Sequence, residues 1–257
     1  MSLLLSIIIP AYNEEQRIAP SLDKIFQFLT TNPYPAEIVI VNDGSSDNTE
    51  SYVLSRTEEF RSAGIDLRVL TNNPNRGKGY SVKRGVKESR GEIALFTDAD
   101  LSSPITEAPK LIEPIMDNRA DVTFGSRALN RKLIGERQPL YRDFGGRVFN
   151  FLLRTITGLQ YQDTQCGFKA FRRSESLPVF EMQSIERFGF DPEALFIAQK
   201  IGLRLLEVPV VWNDVEGSKV NYLTDSPKMF LDLFKIRLNH IRGRYEMAEK
   251  VREQVRG

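Results

Sequence analysis

This 257-residue chain predicts an α/β fold, a mostly parallel central sheet with helices on both faces. Three observations point there. Apolar runs of strand length recur through the first half, continuous rather than alternating, as strands buried on both faces require. Stretches of helical length separate them. Three of the runs end in polar and acidic residues, the place where open α/β sheets bind ligands.

The first strand spans residues 3–10, where Leu3-Leu4-Leu5-Ser6-Ile7-Ile8-Ile9-Pro10 runs into Ala11-Tyr12-Asn13-Glu14-Glu15. A helix follows at 16–30. The second strand, 37–42, carries Ile38-Val39-Ile40-Val41 into Asn42-Asp43-Gly44-Ser45-Ser46-Asp47-Asn48-Thr49. Asp47 with Glu50 three residues on reads as a capping box opening a helix over 48–63. Strands at 67–71, 93–97 and 122–125 and helices at 79–88 and 105–117 complete the alternation. Pro104 suits the last helix start. Beyond Arg127 the pattern loosens. A helix over 140–157 carries Phe144, Val148, Phe149, Leu152 and Ile156, strands cover 168–172 and 204–211, a helix covers 192–201, and a C-terminal helix starts near Pro227.

Composition excludes several functions. Lys plus Arg (35) nearly balance Asp plus Glu (34), with no basic run, so no nucleic-acid partner is expected. A single cysteine, Cys166, cannot form an intramolecular disulfide and fits a reducing cytoplasm. No stretch approaches the ~20 apolar residues of a membrane span. The first apolar run lacks a basic lead and is interrupted by Pro10, so no signal peptide is expected.

Asp98-Ala99-Asp100 is the most informative motif. It follows Ile93-Ala94-Leu95-Phe96, a buried strand in pattern. Two acids one residue apart in extended backbone project to the same side. A hard divalent cation, Mg²⁺ or Mn²⁺, needs only one or two carboxylates plus phosphate oxygens. The pair alone reads more readily as a solvated strand end.

Its company resembles a known family. Pro10-Ala11-Tyr12-Asn13-Glu14, Asn42-Asp43-Gly44-Ser45, Asn75-Arg76-Gly77-Lys78-Gly79 and Asp98-Ala99-Asp100 stand in the order found in family 2 glycosyltransferases of the GT-A fold, which has a Rossmann-like sheet. Asp163-Thr164-Gln165-Cys166-Gly167-Phe168-Lys169, Arg187-Phe188-Gly189-Phe190-Asp191 and Glu216-Gly217-Ser218-Lys219 resemble the polyprenyl-phosphate branch. Within it the chain is most similar to dolichyl-phosphate β-glucosyltransferases, more than to the mannose synthases. The resemblance spans residues 3 to 244. It departs at the N-terminus, where eukaryotic members carry a membrane helix.

The resemblance implies an inverting, metal-dependent transfer of a hexose from a nucleotide sugar to a polyprenyl phosphate. UDP-glucose is the favoured donor and GDP-mannose the alternative. It assigns Asp100 to the metal and Asp98 to the metal shell or donor ribose. Tyr12 and Glu14, with Pro10, Ala11 and Ala99, fall to the nucleotide. Asp43 suits a base N–H, or else an Asx turn before Gly44. Glu14 and Glu15 could instead be first-turn helix acids. Gly77 and Lys78 could meet phosphate or base, or form only a loop before a helix.

A phosphate acceptor is already a nucleophile, so it needs cations to hold it beside a diphosphate more than it needs a base. Arg127, Arg142 and Lys219 fit that need, though Arg127 could be a surface ion pair. Asp191 stands where related enzymes with hydroxyl acceptors place a base, and Asp191-Pro192-Glu193 also reads as a helix N-cap. His240 and Cys166 read as structural. Phe230, Leu233, Phe234, Leu238 and Ile241 form a helical stripe beside Lys235, Arg237, Arg242 and Arg244. It is either packed on the enzyme body or laid on an anionic membrane.

One domain is expected over 1–244: a nucleotide-sugar half (1–127), an acceptor half (128–225) and an amphipathic helix (226–244), followed by a charged tail (245–257). The implied location is the cytoplasmic face of a membrane, by peripheral contact or through a membrane protein partner. Two other classes compete. A sugar-nucleotide pyrophosphorylase would open with a Gly-rich loop and an Arg where Pro10–Glu14 stand. A non-catalytic binding module would have no need of the Asp98/Asp100 pair.

Overall fold

The computed structural model describes residues 3–32, 34–135, 140–215 and 222–246, without the side chains of 140–144, 147 and 222–225. Seven strands form one sheet in the order β3-β2-β1-β4-β6-β5-β7. They are β1 (Leu5–Ala11), β2 (Ala36–Asn42), β3 (Asp66–Thr71), β4 (Ile93–Thr97), β5 (Val122–Ser126), β6 (Phe168–Arg172) and β7 (Leu205–Pro209). All are parallel except β6, which lies antiparallel between β4 and β5.

Strand alternation builds two cores. Ile7, Ile9, Ile38, Ile40 and Leu95 point to one face, under α1 (Glu15–Thr31), α2 (Thr49–Ser55), α3 (Thr57–Ser62) and α5 (Ala108–Met116). Ile8, Val39, Val41, Ala94 and Phe96 point to the other. That face is covered by α4 (Lys78–Glu88), α6 (Leu140–Thr157), α7 (Arg173–Met182), α8 (Phe190–Lys200) and α9 (Tyr222–Ile241). Both faces are dry, which explains why these strands read as unbroken apolar runs. Gly85 lets α4 lie close to the sheet, since a Cβ there would sit 2.4 Å from Ile8 Cγ2. β1, β2 and β4 share a register that ends all three at one edge.

Several elements differ from their sequence patterns. The helix over 48–63 is two, broken at Arg56. Arg56 ion-pairs with Asp23 and Glu59 and stacks on Tyr52, which holds the bend in place. The capping box is not formed. Asp47 accepts from the backbone N–H groups of Thr49 and Glu15, and Glu50 accepts from Asn42 and Thr71. Helix α7 was not legible, and α8 starts at Phe190, so Asp191 lies inside its first turn and is not its N-cap, which is Gly189.

In α6 the inward residues are Phe149, Leu153 and Ile156, while Val148 faces outward. Helix α9 begins before Pro227, and its apolar stripe divides. Leu233 is buried and Phe230 packs on the core, whereas Phe234 (49% exposed), Leu238 (44%) and Ile241 (72%) face out, joined by Leu231 (65%). No described helix is long and apolar enough to cross a membrane.

At the edge of the sheet opposite those strand ends, Glu37 is fully buried. Its carboxylate accepts from Ser6 Oγ (2.7 Å), Arg90 N (2.6 Å), Arg90 Nε (2.9 Å) and Arg68 Nε (2.9 Å). Burial pushes its pKa up, but these hydrogen bonds and the Arg68 charge outweigh burial and hold it below the ordinary 4.5. A depressed carboxylate stabilises the fold above its unfolded pKa and loses that contribution as pH falls through its folded value. Glu37→Gln should therefore cost about 2 kcal/mol or more at pH 7 in urea unfolding. The gap from the wild type should narrow progressively below pH 4.5.

Candidate active site

The strand ends at the carboxyl edge open onto a cleft of about 360 Å³. Pro10, Ala11, Tyr12 and Glu14 come from the end of β1, Asp43 from β2, Gly77 and Lys78 from the start of α4, and Asp98, Ala99 and Asp100 from β4. The parallel register is what gathers these distant segments. Tyr12 stands 43% exposed at the mouth, and Glu14 is buried against Arg17.

Asp43 is almost fully buried. Its Oδ1 accepts from Asn72 Nδ2 (2.8 Å) and Arg76 N (2.9 Å), and its Oδ2 from Gly77 N (2.7 Å). It thus fixes the 75–77 loop as one wall of the cleft. Gly77 has φ +106°, and a Cβ there would lie 2.6 Å from Glu186 O, so only glycine fits between the two walls.

The acids sit in a charge network. Lys78 Nζ lies 2.6 Å from Asp98 Oδ1. Burial disfavours the Lys78 charge, but Asp98, Asp191 and Asp100 outweigh it and raise its pKa. Asp100 Oδ1 accepts from Ser102 N and Oγ, each at 3.0 Å, and its Oδ2 lies 3.6 Å from Arg17 Nη1. Burial and then the Asp98 charge raise the Asp100 pKa, against the pull of Ser102 and Arg17. That residual negative charge favours a cation. Among the described residues no group of three or more His, Cys, Asp and Glu side chains could hold a metal. Two carboxylates fit Mg²⁺ or Mn²⁺ if a diphosphate supplies further oxygens.

The other assigned residues lie differently. Asp191 is buried and receives a hydrogen bond from Lys169 Nζ, whose ammonium also donates to Cys166 O. Burial raises the Asp191 pKa against the pull of Lys169 and Lys78. Arg127 forms a bidentate pair with Asp163, Nε to Oδ2 at 2.6 Å and Nη2 to Oδ1 at 2.8 Å, and lies over Trp212. Neither Asp191 nor Arg127 lines the cleft. Arg142 belongs to α6, but its side chain, like all of Lys219, lies outside the described residues. Burial pushes the Cys166 thiol up to about 11, so it is packing and not a nucleophile.

Arg17, Asn75, Ser81, Arg187 and Phe188 also line the cleft. Arg17 falls one helical turn after Glu14, a spacing that signals their pairing. The segment bearing Arg187 and Phe188 is tied down by buried Glu193, which accepts from Ser184 N (2.9 Å), Ile185 N (2.7 Å), Ser184 Oγ (2.7 Å) and Tyr245 OH (2.8 Å). Across the cleft the same segment receives Tyr80 N at Glu186 O (2.9 Å).

The model for "Glycosyl transferase family 2" matches residues 6–176. The chain belongs to that family. It is 36% identical to the dolichyl-phosphate β-glucosyltransferase of Saccharomyces cerevisiae over 96% of this chain and 78% of the yeast protein. It is 32% identical to the human protein of that name, over 95% and 78%. Among solved structures, it resembles Mycobacterium tuberculosis glucosyl-3-phosphoglycerate synthase in complex with Mn²⁺, UDP-glucose and phosphoglyceric acid. There the TM-score is 0.62 at 19% identity, over 95% of this chain and 80% of that one. Staphylococcus aureus TarS (residues 1–349) superposes with TM-score 0.56 at 21% identity, over 98% and 69%. The fold is GT-A, and the chain is a glycosyltransferase.

In this glycosyltransferase Gly167, the residue just before β6, backs Asp98 closely. A Cβ on Gly167 would stand 2.0 Å from Asp98 Oδ2. Gly167→Ala should displace that carboxylate and cut turnover about 100-fold, while circular dichroism shows the fold retained. Unchanged turnover would remove Asp98 placement from the requirements of catalysis.

Proposed function

We propose that this chain transfers glucose from UDP-glucose to a dolichyl-type polyprenyl phosphate, with inversion at the anomeric carbon and with Mg²⁺ or Mn²⁺ on Asp100 and Asp98. The observation that carries the proposal is the similarity, over nearly the whole chain, to proteins named dolichyl-phosphate β-glucosyltransferase. The solved neighbour with Mn²⁺ and UDP-glucose supports the donor and metal classes.

UDP-glucose is α-linked, so a β-linked product requires inversion. An oxygen of the acceptor phosphate forms a bond to C1 as the bond from C1 to the UDP oxygen breaks. The electron pair leaves with the diphosphate. The acceptor phosphate carries about −1.5 to −2 charge at pH 7, so no proton has to move. When bound, the metal offsets the charge growing on the leaving diphosphate. Lys78, already held by Asp98, adds a second cation there.

Pro10, Ala11, Tyr12, Glu14, Gly77 and Ala99 surround the nucleoside in this proposal. Asp43 uses three lone pairs on Asn72, Arg76 and Gly77, which leaves one of about four for a ring N–H of the base. Residues 1–127 then serve the donor and 128–225 the acceptor. Arg127 engages the acceptor while still bridged to Asp163, and Arg142 and Lys219 supply further cations. Asp191, in the ion pair with Lys169, orients groups around C1 without acting as a base. The outward stripe of α9 rests on the cytoplasmic face of the membrane that holds the acceptor.

Asp100→Ala should lower transfer about 100-fold or more without unfolding the protein, and excess EDTA should silence the wild type. Full turnover in EDTA would refute the metal role. Melting temperature should rise more with UDP plus Mn²⁺ than with GDP plus Mn²⁺.

Arg142→Ala and Lys219→Ala should raise the KM for polyprenyl phosphate about tenfold while leaving the Kd of UDP within about twofold. Equal loss of UDP affinity would place both on the donor side.

A further inference from the structure

A second cavity, of about 260 Å³, lies between the 185–188 segment and α9. Arg187, Phe188, Lys228, Met229, Asp232 and Lys235 wall it. Among the described residues, Arg187, Lys228 and Lys235 take part in no salt bridge. The acids nearby offset them only in part. Glu186 is held by Arg76 at 2.6 Å, and the Asp232 carboxylate is packed against Gly189. Burial raises the Asp232 pKa against the pull of the Lys235 charge, and no ion pair joins the two side chains. The cavity is therefore a cationic basin with an apolar floor of Phe188 and Met229.

Its position on α9 says what it meets. Leu231, Phe234, Leu238 and Ile241 recur at i, i+3, i+7 and i+10 and leave one apolar face in water. Lys228 and Lys235, seven residues apart, line the flank of that face and open into the basin. Apolar side chains beside unpaired cations match a lipid tail beside a phosphate. We propose that this basin seats the phosphate headgroup of an anionic bilayer phospholipid, with the outward face of α9 immersed in the adjoining acyl layer. The inference rests on the membrane contact proposed above and adds to it a defined headgroup site.

A diffuse electrostatic contact would weigh all basic residues of α9 alike, whereas a seat weighs those in the basin. Flotation with phosphatidylcholine vesicles containing phosphatidylglycerol separates the two. The double variant Lys228→Gln/Lys235→Gln should weaken vesicle binding at least tenfold. Arg237→Gln/Arg242→Gln, equal in charge but outside the basin, should weaken it no more than about threefold. Soluble glycerol phosphate should compete with the wild type and not with the basin variant. Equal losses in the two variants would overturn the seat and leave the membrane contact standing. Binding that requires polyprenyl phosphate and ignores phosphatidylglycerol would also overturn it. Wild-type protein that floats with neither lipid would instead defeat the membrane contact itself.

Discussion

Burying a carboxylate without a partner costs several kcal/mol, and this site gathers Asp98, Asp100 and Asp191 beneath one cleft. The arrangement stands because two lysines and an arginine are interleaved with the acids. Lys78 meets Asp98, Lys169 meets Asp191, and Arg17 approaches Asp100. Asp100 is left the least compensated of the three, with its nearest cation at 3.6 Å. The deficit of positive charge is thus concentrated at the strand-end pair, where a divalent ion and a diphosphate can enter together.

The reversed strand makes that interleaving possible. A seventh parallel strand in place of β6 would send its first residues to the far edge of the sheet. Running backwards, β6 starts at the ligand edge, with Gly167 against Asp98 and Lys169 two residues on beneath Asp191. Asp163 and Cys166, just before β6, brace Arg127 and Lys169 in turn. One short segment therefore serves the end of β4, the end of β5 and the start of α8.

Much of this was legible in the sequence and some was not, for reasons that differ by residue. The ends of β1, β2 and β4 were readable because apolar runs buried on both faces end abruptly in polar residues, and parallel strands end together. All the residues assigned there to the nucleotide or metal line one cleft. The direction of β6 was hidden because the face pattern of Phe168-Lys169-Ala170-Phe171-Arg172 carries no mark of strand direction, and Lys169, buried by its pairing with Asp191, does not read as a core residue. Arg127 offered no sign that Asp163, thirty-six residues away, would claim its guanidinium. Helix α9 is apolar on two sides, so periodicity alone did not say that Phe230 and Leu233 turn inward while Leu231 and Phe234 turn out.

Glu193 has a mechanical consequence. Its carboxylate knots the backbone at Ser184 and Ile185 to Tyr245, beyond the end of α9, and Glu186 reaches across to Tyr80. The wall bearing Arg187 and Phe188 is thereby tied down on its N-terminal side. Tyr245 follows α9 directly, so the helix that faces outward and the wall that faces the cleft share one buried carboxylate.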